Sequence, residues 1–339
     1  MKEPQLLHCP VKHYAWGETT SPLISRLLHL PAENLPWAEL WIGAHPSAPA
    51  TLPDGTPLDR FLAERNSNLP FLLKILCCER PLSIQAHPDK QTAERLHAQF
   101  PDEFPDANHK PEILYALSDF QLMAGFRSPI EIDADLASHP SLMAWRMGGG
   151  GLKSLCQSLF FLPDTILAKM QNDLLREIQG SQRPQDILFR KLSALYEGDA
   201  GCFFAYLLNL MTLSPGEAVF LPANTPHAYL HGEGIECMAN SDNVIRAGLT
   251  PKKIRTDLLM DTLCFEATTP QQMRIPQNSD SFAFGCEDFQ FTAVPRHLAE
   301  AAPANAIYLA LDNQSATAWF AEPDTPVSLT ADTIFRVTA

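Results

Sequence analysis

The residues best suited to chemistry stand in one short alternating stretch, Pro81-Leu82-Ser83-Ile84-Gln85-Ala86-His87-Pro88. Successive side chains of a strand point to opposite faces, so Leu82, Ile84 and Ala86 share one side and Ser83, Gln85 and His87 the other. The first set suits a core. The second is a row of polar groups ending in an imidazole, at metal-ligand spacing. Pro88 keeps the backbone of His87 extended and ends the run. Glu112 and His227, far apart in the chain, complete a candidate set of Gln85, His87, Glu112 and His227. Two histidines and a carboxylate make a catalytic zinc set with room for water or substrate. Gln85 is a weak neutral ligand, nominated by its place two residues before His87. Zn2+ with one glutamate and neutral partners leaves the centre near +1, which suits an anionic intermediate. His8, His13, His29, His45, His97, His109, His139, His231 and His297 read as structural or surface residues.

Strands must position these groups. Leu72 to Cys78 is a nearly continuous apolar run consistent with a buried strand, and Lys90 to Gln99 is helical. Strand character resumes from Asn108 to Leu117. Asp164 to Ile178 and Asp186 to Glu197 carry apolar residues at helical spacing. The most apolar run, Cys202 to Leu213, reads as a buried helix too short to cross a bilayer. Gly148 to Gly151 reads as a linker, since no strand precedes it and no G-K-[ST] follows. Ala218 to Leu221 and His227 to Leu230 are strands, Gly232-Glu233-Gly234 reads as a turn, and further short strands include Ala306 to Leu311 and Ala316 to Phe320. The expected fold is mainly β: a cupin-type jelly-roll β-sandwich with an all-helical insertion and a second, smaller C-terminal β-sandwich. The expected parts are 1–125 and 213–265 for the catalytic unit, 126–212 for the insertion and 266–339 for the C-terminal unit.

Bulk properties remove several function classes. A chain of 339 residues with 45% hydrophobic and 19% charged residues can bury a large core and argues against disorder. The net charge of −14 argues against nucleic acid, whose phosphates call for lysine and arginine. An anionic substrate must then be drawn by a local positive site against the global field. Eight cysteines without a C-x-x-C spacing point to reduced thiols in a cytoplasmic protein. The first residues lack the apolar core of a signal peptide, and a membrane partner is not expected.

The strings around these residues resemble the type I mannose-6-phosphate isomerases, zinc enzymes of the cupin class. They are Leu73-Lys74-Ile75-Leu76, Leu82 to Lys90, Asn108-His109-Lys110-Pro111-Glu112, Pro226-His227-Ala228-Tyr229-Leu230 and, most specifically, Glu236 to Lys252. The likeness covers residues 1 to about 265, with a looser echo in the tail. It implies interconversion of mannose 6-phosphate and fructose 6-phosphate through a cis-enediol at one Zn2+ held by Gln85, His87, Glu112 and His227. It implies an essential Arg246, and active-site roles for Lys110, Glu236, Asp242, Lys252, Ser83 and Lys74. Arg246 suits the enediolate or the phosphate, and Lys252 and Ser83 suit the phosphate. Glu236, Lys110 and a zinc-bound water are alternative bases. A sugar-phosphate-binding cupin without catalysis, and an iron-dependent cupin oxygenase, are the competing readings. The expected partner is a small sugar phosphate and the expected state a monomer.

Overall fold

The computed structural model describes residues 2–339 apart from 33, 148, 149, 276–280, 283–285 and 295. Its strands are, in chain order, β1 (Gln5–Leu6), β2 (Val11–Lys12), β3 (Glu39–Gly43), β4 (Phe71–Cys78), β5 (Ile84–Ala86), β6 (Glu112–Ala116), β7 (Phe120–Phe126), β8 (Leu208–Leu213), β9 (Ala218–Leu221), β10 (His227–Ala239), β11 (Ile245–Gly248) and β12 (Arg274–Ile275). They are followed by β13 (Ser281–Phe282), β14 (Gln290–Val294), β15 (His297–Ala301), β16 (Ala306–Asp312), β17 (Ser315–Ala321), β18 (Pro326–Thr330) and β19 (Thr333–Thr338).

The long strand β10 makes the jelly roll. Its first half pairs with β7 and β5, and β5 continues to β11. Its second half, from Gly232 onward, pairs with β4 on one side and β6 on the other. One strand thus passes from the first sheet into the second, with a register shift between Tyr229 and His231 at the corner. The expected turn at Gly232-Glu233-Gly234 is therefore replaced by continuous strand. Gly232 bends it at φ +129°, and a Cβ there would lie 2.8 Å from the Asp119 carbonyl oxygen, so only glycine turns this corner unstrained.

Alternation along the second sheet sorts its two faces. Leu73, Ile75, Cys77, Ile113, Ile235 and Cys237 pack with Phe291, Ile307, Leu309, Phe335 and Val337 of the C-terminal strands. The opposite face carries Lys74, Glu112 and Glu236, all buried polar residues. The C-terminal part is a six-stranded sheet, β1-β17-β16-β19-β14-β13, with the β15–β18 ribbon beside it. The chain's first strand, β1, is an edge of that sheet, and β12 returns to pair with β9 of the eleven-stranded sheet.

Between β7 and β8 lie the helices Pro129–Ala137, Met143–Arg146, Leu152–Phe161, Asp164–Glu177 and Pro184–Leu195. Ser128 starts the first with a reciprocal cap to Glu131, and Pro129 occupies the first turn. Ile132, Leu136, Leu159, Leu174, Phe189 and Leu192 share a core with Ile84 and Ala86. The insertion is thus the floor under β5, the strand that carries Gln85. Leu82, expected on the same face as Ile84, packs instead with the core around Tyr229, because the strand begins only at Ile84. Cys202 to Leu213 is buried but not one helix: short helical turns end at Leu207 and β8 follows. The helical half is apolar because it is wholly enclosed, and in the strand half only Asn209 and Thr212 break the run, so its composition shows no helix-to-strand boundary. Gly148 and Gly149 of the expected linker lie outside the described residues; Gly151 caps Leu152–Phe161. Among the described residues no helix is long and apolar enough to cross a membrane.

Gly248 ties the insertion to β11. Its φ is +145°, and a Cβ would collide with the Gly201 Cα and lie 2.8 Å from Asp199 Oδ1. Gly248→Ala is expected to lower stability by about 2–3 kcal/mol, as overpacking of a closed contact does. A chemical denaturation midpoint unchanged from wild type would contradict this.

Candidate metal centre

His87 follows β5, Glu112 opens β6 and His227 opens β10, so the two sheets deliver their ligands to a common point between them. One ligand atom from each lies within 4.8 Å of the others. His87 Nε2 is 3.3 Å from Glu112 Oε1, and His227 Nε2 is 3.3 Å from Glu112 Oε2. Glu112 is wholly buried and the two imidazoles nearly so.

Backbone carbonyls set both tautomers. A carbonyl only accepts, so His87 Nδ1–H donates to Asn243 O (2.8 Å) and His227 Nδ1–H donates to Thr225 O (3.0 Å). Each Nε2 is left with a lone pair facing Glu112, the arrangement found in metal-ligating histidines. Asn224, at φ +65°, staples the two histidine loops together. Its N–H donates to the His87 carbonyl (2.7 Å) and its Nδ2 to Asp89 Oδ2 (2.7 Å).

The donor set fits a divalent cation. His87 Nε2, His227 Nε2 and Glu112 Oε2 are buried without a hydrogen-bond partner, a costly state that an ion would relieve, while Glu112 Oε1 meets the Lys110 ammonium. Burial, reinforced by the Lys110 charge, pulls His87 down to about 4, so the ring is neutral and able to ligate. Burial opposes the ionisation of Glu112, yet the Lys110 charge beside it is the largest of the opposing causes, and the carboxyl is held well below its ordinary value. Gln85 stands directly across β5 from His227 on one side and Arg246 on the other. Residues directly opposite in adjacent strands project to the same face, so His227, Gln85 and Arg246 form a row beside the cluster.

The other residues singled out in the sequence are distributed as follows. Lys110 Nζ is 3.0 Å from Glu112 Oε1. Glu236 is a diagonal neighbour of Glu112, because Glu112 pairs with Met238. Lys74 Nζ donates to Glu236 Oε2 at 2.8 Å, with both side chains buried. Burial opposes the Lys74 charge, but Glu236 and Glu39 overcome it and raise the pKa, so Lys74 stays an ammonium. Arg246 is partly buried and makes no hydrogen bond or ion pair among the described residues. Ser83 is partly buried beside β5, Lys252 is exposed, and Asp242 is half-exposed beside His45.

Sequence reasoning passed over Glu39, Trp41, His45, His109 and Tyr229. Trp41 donates its indole N–H to Glu39, and Lys74 Nζ lies 5.3 Å from the Trp41 ring centroid. Tyr229 is buried against Phe120, and burial, then the Glu236 charge, push its hydroxyl well above the usual value. His109 Nε2 meets Asp288 Oδ2 at 2.6 Å. For Glu39 a signal existed: in Trp37-Ala38-Glu39-Leu40-Trp41 a carboxylate alternates with aromatics on one strand face.

A jelly roll holding a buried His–Glu–His cluster with a lysine and an arginine beside it defines a metal-binding cupin. Residues 5–129 match the family model of the phosphomannose isomerase type I catalytic domain, and the curated mannose-6-phosphate isomerases of Homo sapiens and Rattus norvegicus are 39% and 40% identical over 322 and 304 residues, covering 80% and 76% of this chain and 76% and 72% of theirs. The chain belongs to the type I phosphomannose isomerase family. Its fold superposes with a TM-score of 0.88, at 30% identity and 99% coverage of both chains, on the mannose 6-phosphate isomerase of Salmonella typhimurium bound to substrate and zinc.

Proposed function

We propose that the chain is a zinc-dependent aldose–ketose isomerase that interconverts mannose 6-phosphate and fructose 6-phosphate through a cis-enediol. The observation that carries this reading is the convergence of buried ligand atoms from His87, Glu112 and His227 within 4.8 Å of one another, with Gln85 beside them. Bound zinc supplies Lewis acidity and a template for the sugar oxygens without redox chemistry.

The chain's own residues supply the rest. Glu236, held by Lys74, is the carboxylate placed to take a proton from the sugar carbon and return it to the neighbouring one. The Lys74 bond restricts its rotation, so its geometry is set before substrate arrives. Lys110 places an ammonium beside Glu112, where an oxyanion develops. Arg246 keeps a permanently charged guanidinium, unpaired among the described residues, on the Gln85 side. Lys252 and Ser83 anchor the phosphate, which lends remote binding energy to orientation. Asp242 takes a sugar hydroxyl. These cations answer the global negative charge locally.

All eight cysteines are free, which suits a reducing compartment, and we place the enzyme in the cytoplasm as a monomer. Dialysis against a chelator is expected to abolish turnover in a coupled mannose 6-phosphate assay, and added Zn2+ to restore it. Full activity in metal-free protein, or oxygen uptake with restoration only by Fe(II), would overturn the reading.

Lys74 and Glu236 also make a stability prediction. Truncating one partner of a buried ion pair costs about 3–5 kcal/mol because the other is left unpaired. Lys74→Met is expected to fall in that range, and Lys74→Met with Glu236→Leu to regain most of it. Equal and additive losses in denaturant titrations would contradict a coupled pair.

A further inference from the structure

Asp242 sits in a loop whose backbone is tightly held. Ser241 Oγ donates to Asp106 Oδ1 (2.8 Å), the Asp242 N–H to Asp106 Oδ2 (2.9 Å), and Asn243 Nδ2 to the Asp106 and Asn108 carbonyls (2.8 and 3.0 Å). The same loop offers the Asn243 carbonyl to His87. The Asp242 side chain is different: it is 50% exposed and faces His45, whose Nε2 lies 3.5 Å from Oδ1.

His45 has the fixed geometry that Asp242 lacks. It is 2% exposed and packs edge-on against Trp41, with ring centroids 5.0 Å apart. Its Nδ1 is 3.3 Å from the Ser47 backbone N and 2.8 Å from Ser47 Oγ. A backbone N–H can only donate, so Nδ1 accepts and the neutral ring carries its hydrogen on Nε2, the atom turned to Asp242. Burial, the largest cause, lowers the pKa of His45; Asp242 opposes this, and Lys74 and Lys110 act with it. The ring therefore stands within reach of the charges that surround the metal cluster, as a neutral donor adding no charge of its own. Trp41 links it to the site wall, since the same indole lies under Lys74.

We propose that His45 is a positioning residue for Asp242: its Nε2–H, turned toward Oδ1 at 3.5 Å, attracts that oxygen and so presents the second carboxylate oxygen to a hydroxyl of the bound sugar. The inference rests on the isomerase reading above. An exposed aspartate otherwise divides itself among its staggered rotamers, and a misplacement of about 1 Å at a reacting group costs up to about 100-fold in rate. A ring locked by Trp41 and Ser47 selects one orientation without adding a charge that would compete for the phosphate.

Five variants test this, each checked for zinc content and thermal midpoint. His45→Phe keeps the ring and its contact with Trp41 but has no N–H; kcat is expected to fall about 10- to 100-fold with zinc retained. His45→Gln, whose amide nitrogen reaches the place of Nε2, is expected to recover most of that loss, whereas the shorter His45→Asn is not. In an Asp242→Asn background, His45→Phe is expected to add no further loss, because the group it orients is already gone. An active wild type beside a His45→Phe variant of unchanged kcat, or losses that multiply in the double variant, would overturn the inference. If His45→Phe is too unstable to assay, equal kcat in His45→Gln and His45→Asn would do the same. An inactive wild type would instead remove the isomerase reading itself.

Discussion

Arg246→Ala is expected to lower kcat about 100- to 1,000-fold while leaving zinc content, fold and KM within a few-fold of wild type. The reasoning starts from the register. Arg246 is directly opposite Gln85 in β11, and Gln85 is directly opposite His227, so the guanidinium is fixed to the same face as the ligand row. Among the described residues nothing pairs with it, so its removal strands no buried counter-charge and the fold should tolerate the loss. A preorganised cation aimed at developing negative charge contributes about 2.7–4 kcal/mol to the transition state. Because that charge develops only during the reaction, the loss belongs in kcat. A rise in KM with kcat unchanged would instead assign Arg246 to the resting phosphate, and near-wild-type activity would remove it from the mechanism. Arg246→Lys should rescue only partly, because an ammonium lacks the planar fork.

Glu112→Gln should eliminate both zinc binding and turnover. Glu112 is the sole anionic member of the cluster, enclosed by His87, His227 and Lys110. Its amide counterpart has the same shape but brings no charge to offset the cation, and it leaves Lys110 unpaired beside the site. Zinc that binds only the folded wild type raises its stability by about 4.1 kcal/mol at a free concentration of 1,000 Kd. The wild-type thermal midpoint should therefore rise on adding Zn2+, whereas that of Glu112→Gln should not move. Zinc-dependent stabilisation of equal size in both proteins would show that the ion binds elsewhere.

What the sequence made legible followed local periodicity. Gln85 and His87 were nominated because a two-residue period aligns them, although the strand itself ends at Ala86, and the buried run Leu72 to Cys78 was readable because its strand is closed in on both faces. The helical insertion was readable from its spacing. Three features were not. Gly232 and Gly234 carry a strand from one sheet into another, which in sequence cannot be told from a turn because both require glycine. Cys202–Leu213 changes from helix to strand within one mostly apolar run, and burial on all sides of its first half leaves no period there to mark the change. His45 looked like any histidine before a proline; its donor atom is set by Ser47 and its burial by Trp41, and these become visible only when the loop is folded. The convergence of Glu112 with His87 and His227 is a product of the pairing of β5 and β6 with β10, not of nearness along the chain.

The most direct test is diffraction from zinc-loaded crystals at the zinc absorption edge. The account predicts an anomalous peak enclosed by His87 Nε2, His227 Nε2 and the Glu112 carboxylate, with Gln85 at its side. A map with no peak there, or with its peak only at the other cluster of potential ligands, Glu18, Cys77 and Glu233, would contradict it.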